Sequence, residues 1–417
     1  MKQSSRIRIA IAVPKYGLVG GGEEHTAQLT NRLSRFDEYD IHLYANQWTN
    51  VSERINTHKI PIVGFPKFLT TISFAQFVQN STALMHFDIM HTHERIFWAD
   101  LSTLHWIPHR LWIRDVRKKK KPTYYDLATM RVERHLVRSG RLFAAVSTLT
   151  KEIFLQEYPE IDPERIRVIH PGVDLEPFSI PDRAAIRHEV RRRYGLEAGD
   201  TVAVFVSMNY DIKGLDYLIR GIARFRKTGP RKPIKLVVVG KSSNAAYVHL
   251  ARALGIENDV IYAGTIPHER IAEVYLASDL FAMPSRFDTF GLTVLEAMAA
   301  SLPVIISENV GAKDVVKQGR NGFIVEDGRQ EEQIGHALEV LSNANIRSVM
   351  SREAQKTAAE HGWDASLEKY LEFYDEILEA KRAVHAGCKR PEETHYMAPM
   401  TRTVFSLTHA DQKDHRV

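Results

Sequence analysis

Cysteine is nearly absent from this 417-residue sequence, whose single cysteine is Cys388. One thiol excludes an internal disulfide and any zinc site built on several cysteines, and it favours a reducing compartment. Long hydrophobic runs are also missing. The first apolar run, IRIAIAV at 7–13, is far shorter than the roughly 20 residues of a membrane-spanning helix and is not followed by a small-residue cleavage site. We therefore expect 7–13 to be a buried strand and the protein to be cytoplasmic.

Two further absences narrow the range of functions that the sequence allows. The sequence has no short-period repeat and no nucleic-acid-binding motif, so its net charge of +5 does not by itself predict a nucleic-acid partner. Its 44% hydrophobic and 26% charged residues are ordinary for a globular protein. A chain of this length exceeds one typical core and predicts two domains.

Apolar strand-like runs alternate with helical segments along the chain, a pattern typical of α/β layers on parallel sheets. The charge-dense segment 181–200 divides five such runs from a later six. This division predicts one domain at 1–178 and a second at 179–364. The amphipathic segment 363–380 predicts a helix, and the polar, aperiodic residues 383–417 predict a loose tail.

The segment 279–326 carries the strongest chemical signal. LFAM at 280–283 predicts a buried strand, and TVLEAMAA after Gly291 predicts a helix. A helix start attracts phosphate because its N–H groups lack partners and the helix dipole is positive there. Asp288 lies on the loop before the helix and Glu296 lies close to its start. Acids at such positions are also ordinary helix caps, so the pair alone does not decide its role.

The residues around Asp288 and Glu296 decide the role of this pair. The pattern PS-x2-D-x-FGL-x3-EAMA-x2-LPV at 284–304, followed by GRNGFIV at 319–325, resembles retaining glycosyltransferases of family 4. The resemblance extends over roughly 7–380, through a glycine-rich loop at 20–22, FDIMHTH at 87–93 and IKGLDYLIRGIARF at 212–225. It implies an α/β protein of the GT-B fold, in which two Rossmann-like parallel-sheet domains face a central cleft. The C-terminal helix, at about 365–382, would return to the N-terminal domain.

The resemblance also implies roles for particular residues. The first acid, Asp288, would contact the donor sugar, and Glu296 would hold the ribose. Lys213 would meet the diphosphate at the rim of the cleft. The remaining residues expected to bind the nucleotide sugar are Gly20, Gly21, Gly22, Phe290, Gly291, Leu292 and Thr293. A lone glycine run or rim lysine can equally be a simple turn or a solvated charge.

Two positions depart from the family pattern. The family usually begins its acidic pair with Glu, where this chain has Asp288. It often places Arg where this chain has Met208, in SMNYDIKG at 207–214. A subgroup that adds sugars to the lipopolysaccharide core also lacks this arginine and is similar around Lys15, Tyr16 and IHLYANQW at 41–48.

The sequence does not decide the roles of the histidines near the cleft. His105 matches a histidine that many family members place beside the transferred sugar, and Asp100 is a second candidate, for contact with the acceptor hydroxyl. His91 and His93 end a strand with one of them able to line the cleft, although buried structural roles fit them equally well. The Asp-x-Asp pair of metal-dependent glycosyltransferases is absent from the sequence. We expect no metal and no cofactor, with the nucleotide sugar as substrate.

The implied reaction is transfer of a hexose from a nucleotide diphosphate sugar to a hydroxyl of a saccharide or lipid-linked saccharide, with the anomeric configuration retained. The segment 106–125 mixes Trp106, Trp112 and Tyr124 with a run of lysines at 118–121. Such a mixture suits an anionic membrane surface, a phosphate-rich acceptor or an ordinary solvated loop. A peripheral position on the inner face of the cytoplasmic membrane follows from the first alternative.

Other readings of the same fold stay open. A nucleotide-sugar epimerase, a phosphorylase with a pyridoxal-bearing lysine, or a non-catalytic sugar-nucleotide-binding protein would each share much of this pattern. Assays with and without an acceptor separate these alternatives.

Overall fold

The computed structural model describes residues 6–17, 20–228, 232–241 and 243–385. Residues 386–417, which include Cys388 and nearly all of the expected tail, lie outside the described residues. No helix in the described ranges is both long and apolar enough to cross a bilayer.

Strands and helices alternate as the apolar pattern predicts. The strands are β1 (Ile7–Ala12), β2 (Lys15–Tyr16), β3 (Tyr39–Ala45), β4 (Gln47–Trp48), β5 (Ile55–Lys59), β6 (Ile89–Thr92), β7 (Leu101–Leu104), β8 (Leu142–Ala145), β9 (Ile166–Val168), β10 (Thr201–Val206), β11 (Ile234–Val239), β12 (Val260–Gly264), β13 (Leu280–Met283), β14 (Val304–Ser307) and β15 (Gly322–Val325). The helices are α1 (Gly21–Leu33), α2 (Leu69–Ala83), α3 (His109–Leu111), α4 (Tyr124–Ser139), α5 (Thr148–Glu157), α6 (Arg183–Arg193), α7 (Leu215–Lys227), α8 (Ala245–Ala253), α9 (His268–Ala277), α10 (Leu292–Ala299), α11 (Gln330–Ser342), α12 (Ala344–Glu360) and α13 (Trp363–His385).

Two large parallel sheets organise the part of the chain that the structure describes. The first has seven strands in the order β5-β3-β1-β6-β7-β8-β9, and the second has six in the order β12-β11-β10-β13-β14-β15. Both sheets are buried on two faces, which explains why strands such as IKLVVV in β11 are almost continuously apolar. The α/β class and the paired Rossmann-like sheets expected from the sequence are confirmed. Of the strands in these two sheets, β5 and β7 were not predicted.

Each sheet reverses its strand order once. In the first sheet the reversal lies between β1 and β6, and in the second it lies between β10 and β13. Parallel sheets bind ligands at such points, just beyond the carboxyl ends of the strands. The loops that follow these four strands therefore mark where a ligand is expected.

Helix α13 returns to the first sheet, as expected. The hydroxyl of Tyr374 lies 2.8 Å from Nδ1 of His91 on β6, and the hydroxyl of Tyr370 lies 3.1 Å from Nε2 of His25 on α1. Both tyrosines are fully buried. Their hydroxyls satisfy buried histidine nitrogens that would otherwise lack partners.

Candidate active site

A cavity of about 570 Å³ lies beyond the carboxyl ends of the strands. Residues on the side of the first sheet that line it include His105, Trp106, Trp112 and Tyr125, and residues on the side of the second include Lys213 and Asp288. Three of the predicted site residues, His105, Lys213 and Asp288, therefore share one cavity.

Lys213 and Asp288 form an ion pair inside this cavity. Lys213 follows β10 and precedes Gly214, whose left-handed backbone (φ 73°) begins α7. A side chain on Gly214 would put its Cβ 2.0 Å from the carbonyl oxygen of Pro284, so this close approach of two loops requires glycine. Asp288 follows β13, and its backbone N–H donates to the carbonyl of Asn309 at 2.9 Å. The two charges thus come from the two strands at the reversal of the second sheet.

The start of α10 adjoins this pair. Gly291 precedes the helix with φ 91°, a conformation that L-residues rarely adopt. Phe290 is buried, while Leu292 and Thr293 are half-buried. The backbone N–H of Phe290 points to the carboxylate of Asp288 at 3.4 Å. The helix start therefore offers its positive end close to the ion pair.

The glycine loop meets α10 and His105. A Cβ atom on Gly21 would lie 3.7 Å from Leu292, and one on Gly22 would lie 3.3 Å from the His105 side chain. Helix α1 begins at Gly21, directly after Gly20. The predicted phosphate-binding backbone of the first half thus faces the predicted phosphate-binding helix of the second.

Glu296 occupies the second turn of α10 and does not line the cavity. Its carboxylate accepts a hydrogen bond of 2.9 Å from the Tyr275 hydroxyl. Burial raises the pKa of Glu296, the bond from Tyr275 lowers it, and the nearby Glu24 raises it again; the net effect is an increase. Glu24 belongs to α1, so Glu296 also lies close to the first half of the chain.

His105 follows β7 and is half-buried. Its Nε2 atom lies 3.0 Å from Nδ1 of His93, and its carbonyl accepts a hydrogen bond of 3.2 Å from the Thr289 hydroxyl. Burial lowers the pKa of His105 to about 3. The imidazole is therefore neutral at physiological pH and can donate or accept one hydrogen bond at the cavity wall.

The expected role of Asp100 is not supported. Asp100 precedes β7, at the amino end of the strand and away from the cavity, with 2% of its surface exposed. Its carboxylate accepts the backbone N–H of Met90 at 2.8 Å. Asp100 links two neighbouring strands and does not reach an acceptor.

His91 and His93 are both buried. His91 lies between the hydroxyls of Tyr374 and Thr103, each at 2.8 Å. His93 contacts His105 and does not line the cavity. His91 therefore has the buried structural role that the sequence left open.

Sequence reasoning missed the polar group behind the aromatic wall of the cavity. Glu133, fully buried on α4, accepts from Arg95 at 2.7 Å and from the Tyr158 hydroxyl at 2.6 Å. The Arg95 guanidinium lies 3.7 Å from the centre of the Trp106 ring. Glu94 and Arg95 directly follow β6, so their place after a strand at the sheet reversal was the signal that could have found them.

The segment 106–125 is only partly the surface that its composition suggested. Trp106 packs against Phe154 with ring centres 5.2 Å apart, and Trp112 lines the cavity. Tyr124 is 82% exposed, and the lysines at 118–121 are exposed. The basic residues therefore face solvent, whereas two of the three aromatic residues serve the core and the cavity.

Comparison with protein families identifies two domains. Residues 19–177 match the model described as Glycosyltransferase Family 4, and residues 186–357 match the model described as Glycosyl transferases group 1. Together the two models span the strands of both sheets from β3 to β15 and include every predicted site residue.

Curated relatives carry the name D-inositol 3-phosphate glycosyltransferase. The protein from Acidothermus cellulolyticus is 26% identical over 406 residues, which cover 89% of each chain. The protein from Rhodococcus erythropolis is 34% identical over 246 residues, or 57% of this chain, and the match spans only 54% of that relative.

Solved structures share the fold at lower identity. WaaG, a glycosyltransferase involved in lipopolysaccharide biosynthesis, aligns with a TM-score of 0.71 at 19% identity, over 88% of this chain and 99% of WaaG. Sucrose-phosphate synthase from Thermosynechococcus elongatus gives 0.73 at 18% identity, over 90% and 100%. Anabaena Alr3699/HepE in complex with UDP-glucose gives 0.65 at 18%, over 91% and 100%.

Proposed function

This chain belongs to the glycosyltransferases of the GT-B fold, with a family 4 domain followed by a group 1 domain, and we propose that it is a retaining hexosyltransferase. It moves a hexose from a nucleotide diphosphate sugar to a hydroxyl of a saccharide or lipid-linked saccharide. The observation that carries this proposal is the convergence of Lys213, Asp288 and His105 on one cavity beside the start of α10.

The diphosphate binds where positive charge is concentrated. Lys213 and the amino end of α10 stand together at the sheet reversal, and both favour an anion. Negative charge grows on the diphosphate as the glycosidic bond breaks, so these groups stabilise the transition state more than the bound substrate. Fixed protein charges of this kind supply the electrostatics that a divalent ion gives other enzymes, which supports transfer without a metal cofactor.

The remaining contacts orient the donor. Glu296, held by Tyr275, accepts the two ribose hydroxyls, since an ionised carboxylate has acceptor positions for both. The carboxylate oxygen of Asp288 that does not contact Lys213 accepts a hydrogen bond from a hydroxyl of the donor sugar. The neutral imidazole of His105 hydrogen-bonds to the sugar from the opposite wall.

Retention of the anomeric configuration follows from the groups that surround the anomeric carbon of the donor sugar. Asp288 is tied to Lys213 and serves as a binding group, so it is a poor nucleophile. The acceptor hydroxyl then attacks on the face that the diphosphate leaves and passes its proton to the departing phosphate oxygen. The anomeric configuration of the first-formed product, measured by proton NMR, distinguishes retention from inversion.

An uncharged ring fits the acceptor side of the cavity better than a phosphorylated one. Trp106, Trp112 and Tyr125 supply aromatic faces. On this side of the described lining, the Arg95 guanidinium is bound to Glu94 and Glu133. The name of the relatives contains an inositol phosphate, but a phosphate bound at Arg95 would have to break these pairs. We therefore favour a saccharide hydroxyl as the acceptor.

Association with an anionic membrane is a second part of the proposal. Arg110 and Arg114 expose 71% and 63% of their side chains, and the lysines at 118–121 are exposed beside Tyr124. Each such charge near an anionic surface contributes about 1 kcal/mol, and salt screens it. This surface would bring a lipid-linked acceptor close to the cavity on the inner face of the cytoplasmic membrane.

Transfer is tested by thermal-shift screening against UDP-, GDP- and ADP-sugars, followed by product analysis with and without a saccharide acceptor. We expect one nucleotide sugar to raise the melting temperature and nucleoside diphosphate to appear only when acceptor is present. Release of an altered free sugar without acceptor would indicate an epimerase. Binding with no turnover under any condition would indicate a non-catalytic sugar-nucleotide-binding protein.

Flotation with anionic liposomes tests the membrane role. Changing Lys118–Lys121 to Gln should abolish flotation at low salt. The matched control changes four exposed lysines of the second half to Gln: Lys227, Lys232, Lys317 and Lys356. Equal loss in both variants, or no loss in the first, would remove the membrane role from this segment.

A further inference from the structure

Three histidines from three different elements meet behind the cavity wall. His25 lies on α1, His93 follows β6 and His105 follows β7. One ring nitrogen of each lies within 4.8 Å of one ring nitrogen of the other two. Nδ1 of His93 and Nε2 of His105 are 3.0 Å apart. Two imidazole nitrogens on a tetrahedral zinc ion with bonds of about 2.0–2.1 Å are roughly 3.3 Å apart, so this spacing already approaches that of a metal site.

The cluster contains nitrogens that the fold does not satisfy. Nδ1 of His25 and Nε2 of His93 are buried and have no hydrogen-bond partner among the described residues. His25 is fully buried and His93 is 4% exposed. A cation bound to Nδ1 of His93 and Nε2 of His105 would also give Nδ1 of His25 the partner that it lacks.

All three imidazoles are in the form that binds metals. Burial lowers the pKa of His105 to about 3 and keeps the pKa values of His25 and His93 well below the ordinary range. The rings are therefore neutral at pH 7. Each neutral ring has one nitrogen without a proton, whose lone pair can bind a metal.

A supporting shell fixes one of the rings. Nε2 of His25 lies 3.1 Å from the Tyr370 hydroxyl, and the Thr103 hydroxyl donates to the same Tyr370 oxygen at 3.2 Å. Metal-binding histidines commonly have their second nitrogen held in this way, which sets the ring orientation. The arrangement leaves Nδ1 of His25 as the nitrogen directed to a ligand.

We propose that His25, His93 and His105 form a binding site for a zinc-like transition-metal ion. Three neutral imidazoles suit Zn²⁺, Co²⁺, Ni²⁺ or Cu²⁺ and do not suit Mg²⁺ or Ca²⁺, which prefer oxygen ligands. Water from the cavity can supply a fourth ligand, because His105 lines that cavity. The metal would replace the proton that His93 and His105 share.

This site is separate from the charges proposed to hold the diphosphate. Lys213 and Asp288 contribute nothing to it, so the metal is not a cofactor for transfer. Metal binding by the three histidines therefore does not depend on the proposed function.

Cobalt spectroscopy tests the site directly, because tetrahedral Co²⁺ absorbs strongly in the visible region. Titration of the purified full-length protein with Co²⁺ should give a d–d band that saturates at one equivalent and disappears when Zn²⁺ is added. His93→Gln and His105→Gln should each lose the band. His105 is half-buried, so the second variant is the one expected to fold without difficulty.

A matched control uses another pair of histidines whose ring nitrogens lie within hydrogen-bonding distance. Nδ1 of His42 lies 2.8 Å from Nε2 of His58, beside Asp40. His58→Gln should keep the d–d band and its stoichiometry. In the wild type, saturating Zn²⁺ should also raise the melting temperature, and this shift should vanish in His105→Gln. Absence of the band from folded wild-type protein, or its persistence in His105→Gln, would overturn the proposal.

Discussion

The ammonium group of Lys213 contacts the carboxylate of Asp288, which joins the loop after β10 to the loop after β13. Both side chains are mostly buried, with 23% and 15% of their surfaces exposed. The lysine that is expected to bind the donor diphosphate is thus already occupied by a protein anion. A diphosphate must share Lys213 with Asp288 or displace it.

Asp288→Asn should therefore separate nucleotide binding from transfer. The affinity for nucleoside diphosphate should rise by up to about tenfold, because one competing negative charge is gone. The transfer rate should fall about 100-fold or more, since Asp288 no longer accepts from the donor sugar. Titration calorimetry and steady-state kinetics measure the two effects. Asp37→Asn, which removes an exposed carboxylate paired with Arg54, should change neither.

Tyr275→Phe should weaken nucleotide binding through Glu296. The Tyr275 hydroxyl donates to the Glu296 carboxylate at 2.9 Å, and its loss leaves a partly buried carboxylate less well oriented. Removal of one such bond should raise the Kd for nucleoside diphosphate by about fivefold. Tyr262→Phe is the control, because the Tyr262 hydroxyl has no hydrogen-bond partner among the described residues. Equal affinities in the two variants would contradict the role given to Glu296.

Asp126 should make stability depend on acid pH. Burial raises the pKa of this carboxyl, but hydrogen bonds from Thr123 and His109 outweigh it and lower the pKa from 3.8 to about 2. A lowered folded-state pKa stabilises the protein above the unfolded pKa and loses that contribution as pH falls through the folded pKa. The wild type should exceed Asp126→Asn in unfolding free energy by about 2 kcal/mol at pH 7.

That difference should shrink between about pH 4 and pH 2, the window set by the two pKa values. Urea unfolding of both proteins across this range measures it. Asp115→Asn supplies the comparison, since Asp115 is half-exposed and its partner Arg114 is exposed. A difference between wild type and Asp126→Asn that stays constant with pH would show that the carboxylate charge contributes nothing.

Two glycines on adjoining helices should respond in opposite directions to alanine. A Cβ atom on Gly221 of α7 would lie 2.3 Å from Cγ2 of Ile334, whereas one on Gly335 of α11 would lie no closer than 3.5 Å to Arg224. Gly221→Ala should lower the free energy of unfolding by about 1–3 kcal/mol through overpacking. Gly335→Ala should raise it by up to about 1 kcal/mol through helix propensity. Denaturant unfolding measures both changes in the free energy of unfolding. Changes of the same sign in the two variants would contradict this packing.

The second half of the site could be predicted from sequence because its signals are local. Lys213, Asp288 and Gly291 each lie within a few residues of a strong apolar strand or a well-formed helix, so their place at the carboxyl end of a strand could be inferred. The alternation of strands and helices likewise predicted both sheets. Strand β7 was not identified, so the position of Asp100 at its amino end, away from the cavity, could not be inferred.

The first half depended on contacts between distant residues. His25 is 68 residues from His93 in sequence, and Glu133 is 38 residues from Arg95. No local pattern shows that these side chains meet, since a buried histidine or glutamate on an amphipathic helix resembles a solvated one. Trp106 was likewise assigned to the surface because its partner Phe154 lies far along the chain.

The most direct test of the account compares a nucleoside diphosphate with its monophosphate in the wild type and in Lys213→Ala. The nucleotide is the one whose sugar derivative gives the largest thermal shift. We expect Lys213→Ala to weaken diphosphate binding by about 10- to 100-fold and to change monophosphate binding by less than about twofold. Lys227→Ala, at the exposed carboxyl end of α7, should leave both affinities unchanged. Equal losses for the two nucleotides in Lys213→Ala, or no loss for either, would contradict the assignment of Lys213 to the diphosphate.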